Sequence, residues 1–96
     1  MGRVFSSDVV VVASPAQISA DLAGEVAVLH LKSGIYYGLD AVGARIWSLL
    51  REPQTVGHIQ STLVSEYDVD PDQCAADVIA LLEKLSAEGL IELTDG

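Results

Sequence analysis

The stretch Ile35-Tyr-Tyr-Gly-Leu-Asp-Ala-Val-Gly-Ala-Arg-Ile-Trp47 marks the change from strands to helices in this 96-residue chain. Residues Ile35 to Leu39 are mostly β-branched or aromatic, which predicts a strand. Asp40 is a good helix N-cap, and Leu39 before it can pack on the first turn of a helix. Apolar residues then recur at helical spacing as far as Leu50. The stretch therefore predicts an α+β fold whose strands precede its helices.

The chain upstream of this stretch also has the pattern of strands. Asp8–Ser14 is β-branched and ends at Pro15, whereas Gln17–Leu22 and Glu25–Leu31 follow a two-residue period. Lys32-Ser33-Gly34 has the length and the glycine of a hairpin connection. Because loops this short favour antiparallel neighbours, we predict an N-terminal three-stranded antiparallel sheet.

Two more helices are predicted downstream. Thr55 precedes a second helical apolar pattern, and Asp70 caps a third helix that has Pro71 at its first position. Gly89 ends this third helix, and Leu90–Leu93 can close the fold as a last short strand. The pattern predicts one α+β domain over residues 1–96, winged helix-turn-helix-like, in which the sheet is followed by a three-helix bundle. Its core is expected from about residue 9 to residue 94.

Composition and charge exclude several classes of protein. Half of the residues are hydrophobic, a single cysteine allows no internal disulfide, and the net charge is −9. Nine acidic residues and Lys84 as the sole basic residue follow position 65, and such acidity disfavours binding to nucleic acid or to anionic membranes. The longest apolar run, Val9–Ala13, is too short to span a bilayer, and the N-terminus lacks a signal-peptide pattern. We expect a cytoplasmic globular protein.

Side chains that could support catalysis or hold a metal are few. Cys74 lies among apolar residues at helical spacing, and small buried thiols are common. His30 and His58 lack neighbours with the spacing of metal ligands or of a catalytic triad. Asp68 begins a pattern like a calcium loop, but the sixth and twelfth positions are not the Gly and Glu that an EF-hand requires. The sequence thus predicts no catalytic residue, no metal and no cofactor.

The third helix has two adjacent apolar stripes, which together cover roughly 160° of its surface, against about 100° for simple packing on a core. Either the helix is well buried or one of the stripes lines an open groove. The first stripe is Cys74, Val78, Leu81 and Leu85, and the second is Ala75, Ile79, Leu82 and Ser86.

Several ordered segments resemble the PqqD-like family. They are Gly24–Leu31, Gly34–Asp40 (GIYYGLD), Val42–Trp47 (VGARIW), Leu50, Thr55-Val56, Glu66–Asp70, Asp77-Val78, Leu81-Leu82 and Gly89–Ile91. The likeness covers roughly residues 9 to 94. The family usually has Asn where this chain has Asp40, but both residues cap helices.

The resemblance implies a RiPP recognition element, a small non-catalytic domain that binds the leader region of a ribosomally made precursor peptide. It implies that the leader adds as an antiparallel strand beside the last hairpin strand and lies against the third helix. Carried onto this chain, the strand partners are Gly34, Ile35, Tyr36, Tyr37, Gly38 and Leu39, and the helix wall is Ala75, Ile79, Leu82, Glu83 and Ser86. Accordingly Ile79→Glu is expected to weaken leader binding, and Leu81→Glu is expected to unfold the domain. Glu83 and Asp77 are expected to favour a leader with a nearby Lys or Arg.

Within the family, the version YYGLD…GARIW looks most like the stand-alone leader-binding proteins of lasso peptide biosynthesis. The partners then implied are the precursor's leader peptide, a leader peptidase similar to a transglutaminase-type cysteine protease, and an ATP-dependent cyclase. The alternative within the family is a peptide chaperone for a radical-SAM enzyme, as in pyrroloquinoline quinone biosynthesis.

A winged-helix DNA-binding regulator is the alternative from a different class. In that case the third helix should carry Arg or Lys for the major groove. It has Lys84 alone against Asp72, Asp77, Glu83 and Glu88, so the charge pattern favours peptide over DNA.

Overall fold

The computed structural model describes residues 5–94 as two small sheets and three helices. The elements in chain order are β1 (Val10–Ala13), β2 (Gln17–Leu22), β3 (Glu25–His30), β4 (Tyr36–Leu39), α1 (Ala41–Leu49), β5 (Gln54–Thr55), α2 (Val56–Glu66), α3 (Pro71–Ala87) and β6 (Ile91–Thr94). The predicted α+β class, with an antiparallel sheet followed by three helices, is confirmed. The likeness to a winged helix-turn-helix stays a prediction.

The strands form two antiparallel sheets. One is the meander β2-β3-β4, whose connections are as short as the sequence predicted. The other has β1 in the centre, between β5 and β6. β1 lies outside the meander because Ser14-Pro15 turns the chain between β1 and β2. At this turn the Ser14 hydroxyl accepts a hydrogen bond from the Ala16 N–H. The predicted last strand is therefore the partner of the first one, and the two-residue strand β5 is an addition to the prediction.

Each helix begins at the capping residue that the sequence indicated. The side chains of Asp40, Thr55 and Asp70 accept hydrogen bonds from the backbone N–H three residues later, at 2.9, 3.1 and 2.9 Å. Such a bond satisfies one of the N–H groups that a helix start leaves without a partner. Pro71 occupies the first position of α3, where its missing N–H costs nothing.

The end of α3 is fixed by Gly89, whose φ of +74° is a left-handed conformation. A Cβ at this position would lie 3.1 Å from Nε2 of His30, so glycine is required for conformation and for space. The turn lets the Leu90 N–H donate to the Leu85 carbonyl. It also directs the Leu90 side chain into the core, where it is fully buried.

One hydrophobic cluster joins both sheets and all three helices. Its largest fully buried members are Trp47, Leu50, Ile59, Leu63, Leu82, Leu85, Leu90, Val11, Val28, Val56 and Val78. The sheet β2-β3-β4 contributes Val26 and Val28 from one face. Its other face exposes Ile18, Leu22 and Tyr36. No helix within residues 5–94 is long and apolar enough to cross a membrane.

Candidate peptide-binding groove

Strand β4 has one open edge within the described part of the chain. Its partner is β3, with Tyr37 opposite Val28 and Leu39 opposite Val26. The His30 N–H donates to the Ile35 carbonyl, so hydrogen-bonded pairs alternate from that point along the ladder. Tyr37 and Leu39 therefore bond to β3, and the N–H and C=O groups of Tyr36 and Gly38 point to the open edge. These groups form the template that an added strand requires.

A cavity of about 490 Å³ lies between β4, the start of α1 and one side of α3. We call it the groove. Most of its surface is apolar, whereas its rim has both acidic and basic side chains. The lining residues are Gly38, Leu39, Asp40, Val42, Gly43, Ile46, Leu63, Tyr67, Val69, Gln73, Cys74, Asp77, Val78, Leu81 and Lys84.

The wall opposite α3 depends on the close approach of α1 to β4. Leu39 and Asp40 lie where the strand turns into the helix, so the predicted strand-to-helix junction positions the groove. A Cβ on Gly43 would lie 3.3 Å from the Leu39 Cβ, which is tighter than ordinary packing. Gly43 is buried at this contact, and a larger residue would push α1 away from β4.

One side of α3 forms the facing wall. At about 100° per residue, Asp77, Leu81, Lys84 and Glu88 fall within about 60° of one another around the helix axis. Leu81 is half-buried and lies between exposed charged residues. This side of α3 therefore offers an apolar centre with charged flanks to anything that occupies the groove.

The helix residues predicted for this wall lie elsewhere. Leu82 is fully buried in the core and does not line the groove. Ile79 points about 160° away from Leu81 around the axis. The carbonyl of Ala75 accepts a hydrogen bond from Gln60 of α2, on the side away from β4. Ser86 and Glu83 share the flank of Ile79, and none of the five predicted helix residues lines the groove.

Four of the six strand residues predicted for the site lie in β4, and the other two precede it. Tyr36, Tyr37, Gly38 and Leu39 form β4, whereas Gly34 and Ile35 precede it in the turn. Gly38 and Leu39 line the groove. Tyr36 is 70% exposed on the outer face of the sheet, and Tyr37 points toward α3.

The sequence prediction missed Leu81 and Lys84 as groove residues. The misassignment arose because Leu81 falls in a stripe with Val78 and Leu85, which are core residues. A signal was present in the sequence. Leu81 has Asp77, Lys84 and Glu88 as its neighbours at helical spacing, and a mixed charged and apolar face is typical of a boundary between core and solvent.

A hydrogen bond joins β4 to the end of α3 beside the groove. The Tyr37 hydroxyl donates to Oε1 of Glu88 at 2.6 Å. This bond, together with the burial of the ring and the carboxylate's charge, raises the pKa of Tyr37 above its ordinary value of 10.0. Tyr37 thus remains a neutral donor at physiological pH.

Cys74 lies in the groove floor as a nearly buried thiol. Burial, with a smaller contribution from the charge of Asp77, raises the pKa of the Cys74 thiol above its ordinary value. Because the thiolate is the nucleophile, this thiol is a poor one at neutral pH.

Both histidines make local polar contacts. Nδ1 of His30 accepts from the N–H groups of Lys32 and Ser33 in the β3–β4 turn, and His58 lies 3.5 Å from the Thr62 hydroxyl. Within residues 5–94, no three His, Cys, Asp or Glu side chains lie together in a way that could hold a metal ion. What the arrangement offers is an unpaired strand edge beside an apolar groove.

The chain belongs to the PqqD family. The family model for coenzyme PQQ synthesis protein D matches residues 25–91, which include β3, β4, all three helices and the groove. The predicted PqqD-like RiPP recognition element is thereby confirmed.

Two solved structures are similar over most of this chain. The first is TbiB1 in complex with the TbiA(beta) leader peptide. The TbiB1 chain is 42% identical to this chain and has a TM-score of 0.79, and the match covers 84% of this chain and 94% of TbiB1. The second is lasso peptide synthetase B1 complexed with the leader peptide. It is 24% identical with a TM-score of 0.75, covers 85% of this chain and 96% of that one, and shows the shared fold. No curated protein sequence matches this chain.

Proposed function

We propose that this protein binds the leader region of a ribosomally made precursor peptide, which adds as a strand to the open edge of β4. The observation that carries the proposal is the placement of that edge, with its outward N–H and C=O groups at Tyr36 and Gly38, beside the groove. The protein itself carries out no reaction on the peptide.

The two parts of the site have different roles in recognition. Backbone pairing along β4 fixes the register of the peptide but reads little of its sequence, because every residue has the same backbone. Side chains of an added strand alternate between two faces. Those on the face of Tyr37 and Leu39 enter the groove, where the apolar side of Leu81 selects for apolar anchors.

Binding a disordered leader requires the anchors to offset its loss of conformational entropy. The groove is preformed by contacts within the chain, such as Leu39 against Gly43 and Tyr37 with Glu88. A preformed site leaves only the peptide to be ordered, which favours affinity.

The pathway that we propose is lasso peptide biosynthesis. The 42% identity to TbiB1, whose structure contains the TbiA(beta) leader peptide, together with the fold shared with lasso peptide synthetase B1, supports this pathway over one that uses a radical-SAM enzyme. In this role the protein, as a cytoplasmic carrier, delivers the leader to a leader peptidase of the transglutaminase type and to an ATP-dependent cyclase.

A matched pair of variants at Gly38 tests strand addition. Gly38→Pro removes the outward N–H but none of the bonds that Tyr37 and Leu39 make to β3, and edge strands tolerate such a proline. Gly38→Ala keeps the N–H, and its Cβ meets no atom within 4 Å. With fluorescence anisotropy of a labelled TbiA(beta) leader peptide, we expect Gly38→Pro to lower affinity at least about tenfold and Gly38→Ala less than about threefold.

Circular dichroism serves as the control, since both variants should keep the wild-type spectrum. Equal affinities of the folded Pro and Ala variants would rule out pairing at this edge. Failure of the wild-type protein to bind the leader peptide would contradict the proposed function itself.

A further inference from the structure

Lys84 occupies an unusual place in the charge distribution. It is the sole basic residue after position 65, in a segment with nine acidic residues. The structure places it on the wall of the groove, one helical turn after Leu81. The acidic residue beside it in sequence, Glu83, lies on the opposite flank of α3. Of the two acidic residues that the sequence predicted near the site, Asp77 lines the groove together with Lys84, whereas Glu83 does not.

The acidic side chains around the groove already have partners. Asp40 accepts from the Gly43 N–H at 2.9 Å, and Asp77 accepts from Nε2 of Gln73 at 2.9 Å. Glu88, four residues after Lys84 on the same side of the helix, accepts from the Tyr37 hydroxyl.

Lys84 has no such partner among residues 5–94. Among residues 5–94, the ion pair is Arg45–Glu66, remote from the groove, and no side-chain hydrogen bond involves the Lys84 ammonium. Lys84 is therefore the cationic side chain of the groove rim, and among residues 5–94 its ammonium makes no hydrogen bond or ion pair.

We propose that Lys84 determines specificity by pairing with an acidic side chain, Asp or Glu, of the bound leader. The inference rests on the proposed function, because an added strand on β4 is what brings peptide side chains between Leu39 and α3. Such a strand also covers Lys84 from water. A charged hydrogen bond then compensates for the lost hydration, whereas a neutral or basic peptide side chain leaves the ammonium covered without a partner.

Lys84 also lies in the last turn of α3, where a cation stabilises the helix through its dipole. Stabilising the helix and recognising the peptide are two different roles of Lys84, and they affect different measurable quantities. Loss of the dipole interaction lowers stability and leaves peptide preference unchanged. Loss of recognition changes the preference between acidic and basic peptides.

A charge-reversal experiment separates the role of Lys84 in helix stability from its role in peptide recognition. The probes are variants of the TbiA(beta) leader peptide in which each position in turn is Glu, Gln or Lys. We expect one groove-facing position at which the wild-type protein prefers Glu over Lys by about tenfold. In Lys84→Glu this preference is expected to reverse, so that the Lys peptide binds more tightly than the Glu peptide.

The matched control is Arg51→Glu, which makes the same change in net charge at an exposed position outside the groove. It should keep the wild-type preference at every position. Isothermal calorimetry gives the affinities, and thermal melting of each variant verifies that it is folded.

The outcomes distinguish this inference from the proposed function. If the leader binds and no position changes its Glu-to-Lys preference in Lys84→Glu, the role of Lys84 is wrong and strand addition stands. The same conclusion follows if Arg51→Glu reverses the preference equally, since the effect is then one of net charge. If the wild-type protein binds none of the peptides, both proposals fail.

Discussion

Leu81 and Ile79 are two residues apart on α3, and both are half-buried against the core. Leu81 lines the groove, whereas Ile79 faces the flank on which α2 lies. The two side chains have the same number of carbon atoms, so truncation removes a similar amount of apolar surface from each. They form a matched pair for locating the peptide on α3.

We expect Leu81→Ala to lower affinity for the TbiA(beta) leader peptide about tenfold, because an apolar anchor in a central pocket carries much of the binding energy. Ile79→Ala should change affinity less than about twofold. Both variants should lose about 1–2 kcal/mol of stability, since partial burial scales with area. Calorimetry and chemical denaturation measure the two effects, and a larger affinity loss for Ile79→Ala would contradict the assignment of the groove wall.

Leu82, the neighbour of Leu81, shows what truncation of a fully buried residue of α3 should cost in stability. It is fully buried, and Leu82→Ala should cost about 2–5 kcal/mol because a cavity is left behind. The sequence predicted that Leu82 contacts the peptide and that Leu81→Glu unfolds the domain. From the burial of Leu82 and the place of Leu81 in the groove, we instead expect Leu81 to contact the peptide and a charge at Leu82 to unfold the domain.

At the scale of elements, α1 and α2 are joined by the ion pair of Arg45 and Glu66. The guanidinium donates two hydrogen bonds to the carboxylate, at 2.8 and 2.6 Å, and also contacts the Ser48 hydroxyl. These hydrogen bonds, with the guanidinium charge, hold the pKa of Glu66 below its ordinary value of 4.5. A carboxyl group with a lowered pKa stabilises the fold at pH values above its unfolded-state pKa.

The pair therefore makes stability depend on pH. Its contribution is complete above the ordinary pKa of 4.5 and is lost as the pH falls through the lower folded-state pKa of Glu66. We expect Glu66→Gln to melt below the wild-type protein at neutral pH, with the difference shrinking toward about pH 3. Glu52→Gln is the control, because Glu52 lies at an exposed turn and makes no ion pair with any of residues 5–94. A difference for Glu66→Gln that is constant over this range would contradict the prediction.

For the whole molecule, one cluster of buried side chains connects the two sheets and the three helices. β1 is central to this arrangement, because it pairs with strands from the middle and the end of the chain. Separate unfolding of either half would expose Val11, Trp47 and Leu90 together. We therefore propose that the chain behaves as one cooperative domain.

Coincident unfolding transitions test this proposal. Trp47 is the single tryptophan and is buried, so its fluorescence reports on the core, and far-ultraviolet circular dichroism reports on the helices. We expect both probes to give the same midpoint in urea, as two-state unfolding requires. Two separated midpoints would show that the sheet and the helices unfold independently.

Much of the fold was predictable because its signals are local. The capping residues Asp40, Thr55 and Asp70 act within three residues of themselves, and Gly89 ends α3 through its own conformation. The strand-to-helix junction at Leu39-Asp40 likewise follows from neighbouring residues. The sequence also carried the family likeness and the uneven charge, which favoured a peptide partner over DNA.

The groove depended on contacts that periodicity does not contain. A helical pattern gives the angles between side chains around the axis, but not the rotation of that axis relative to the edge of β4. Long-range contacts fix this rotation, among them Tyr37 with Glu88, 51 residues apart, and Leu82 in the core. The sequence by itself determined the elements and the open strand, and only tertiary packing decided that Leu81 and Lys84, rather than Ile79 and Glu83, face it.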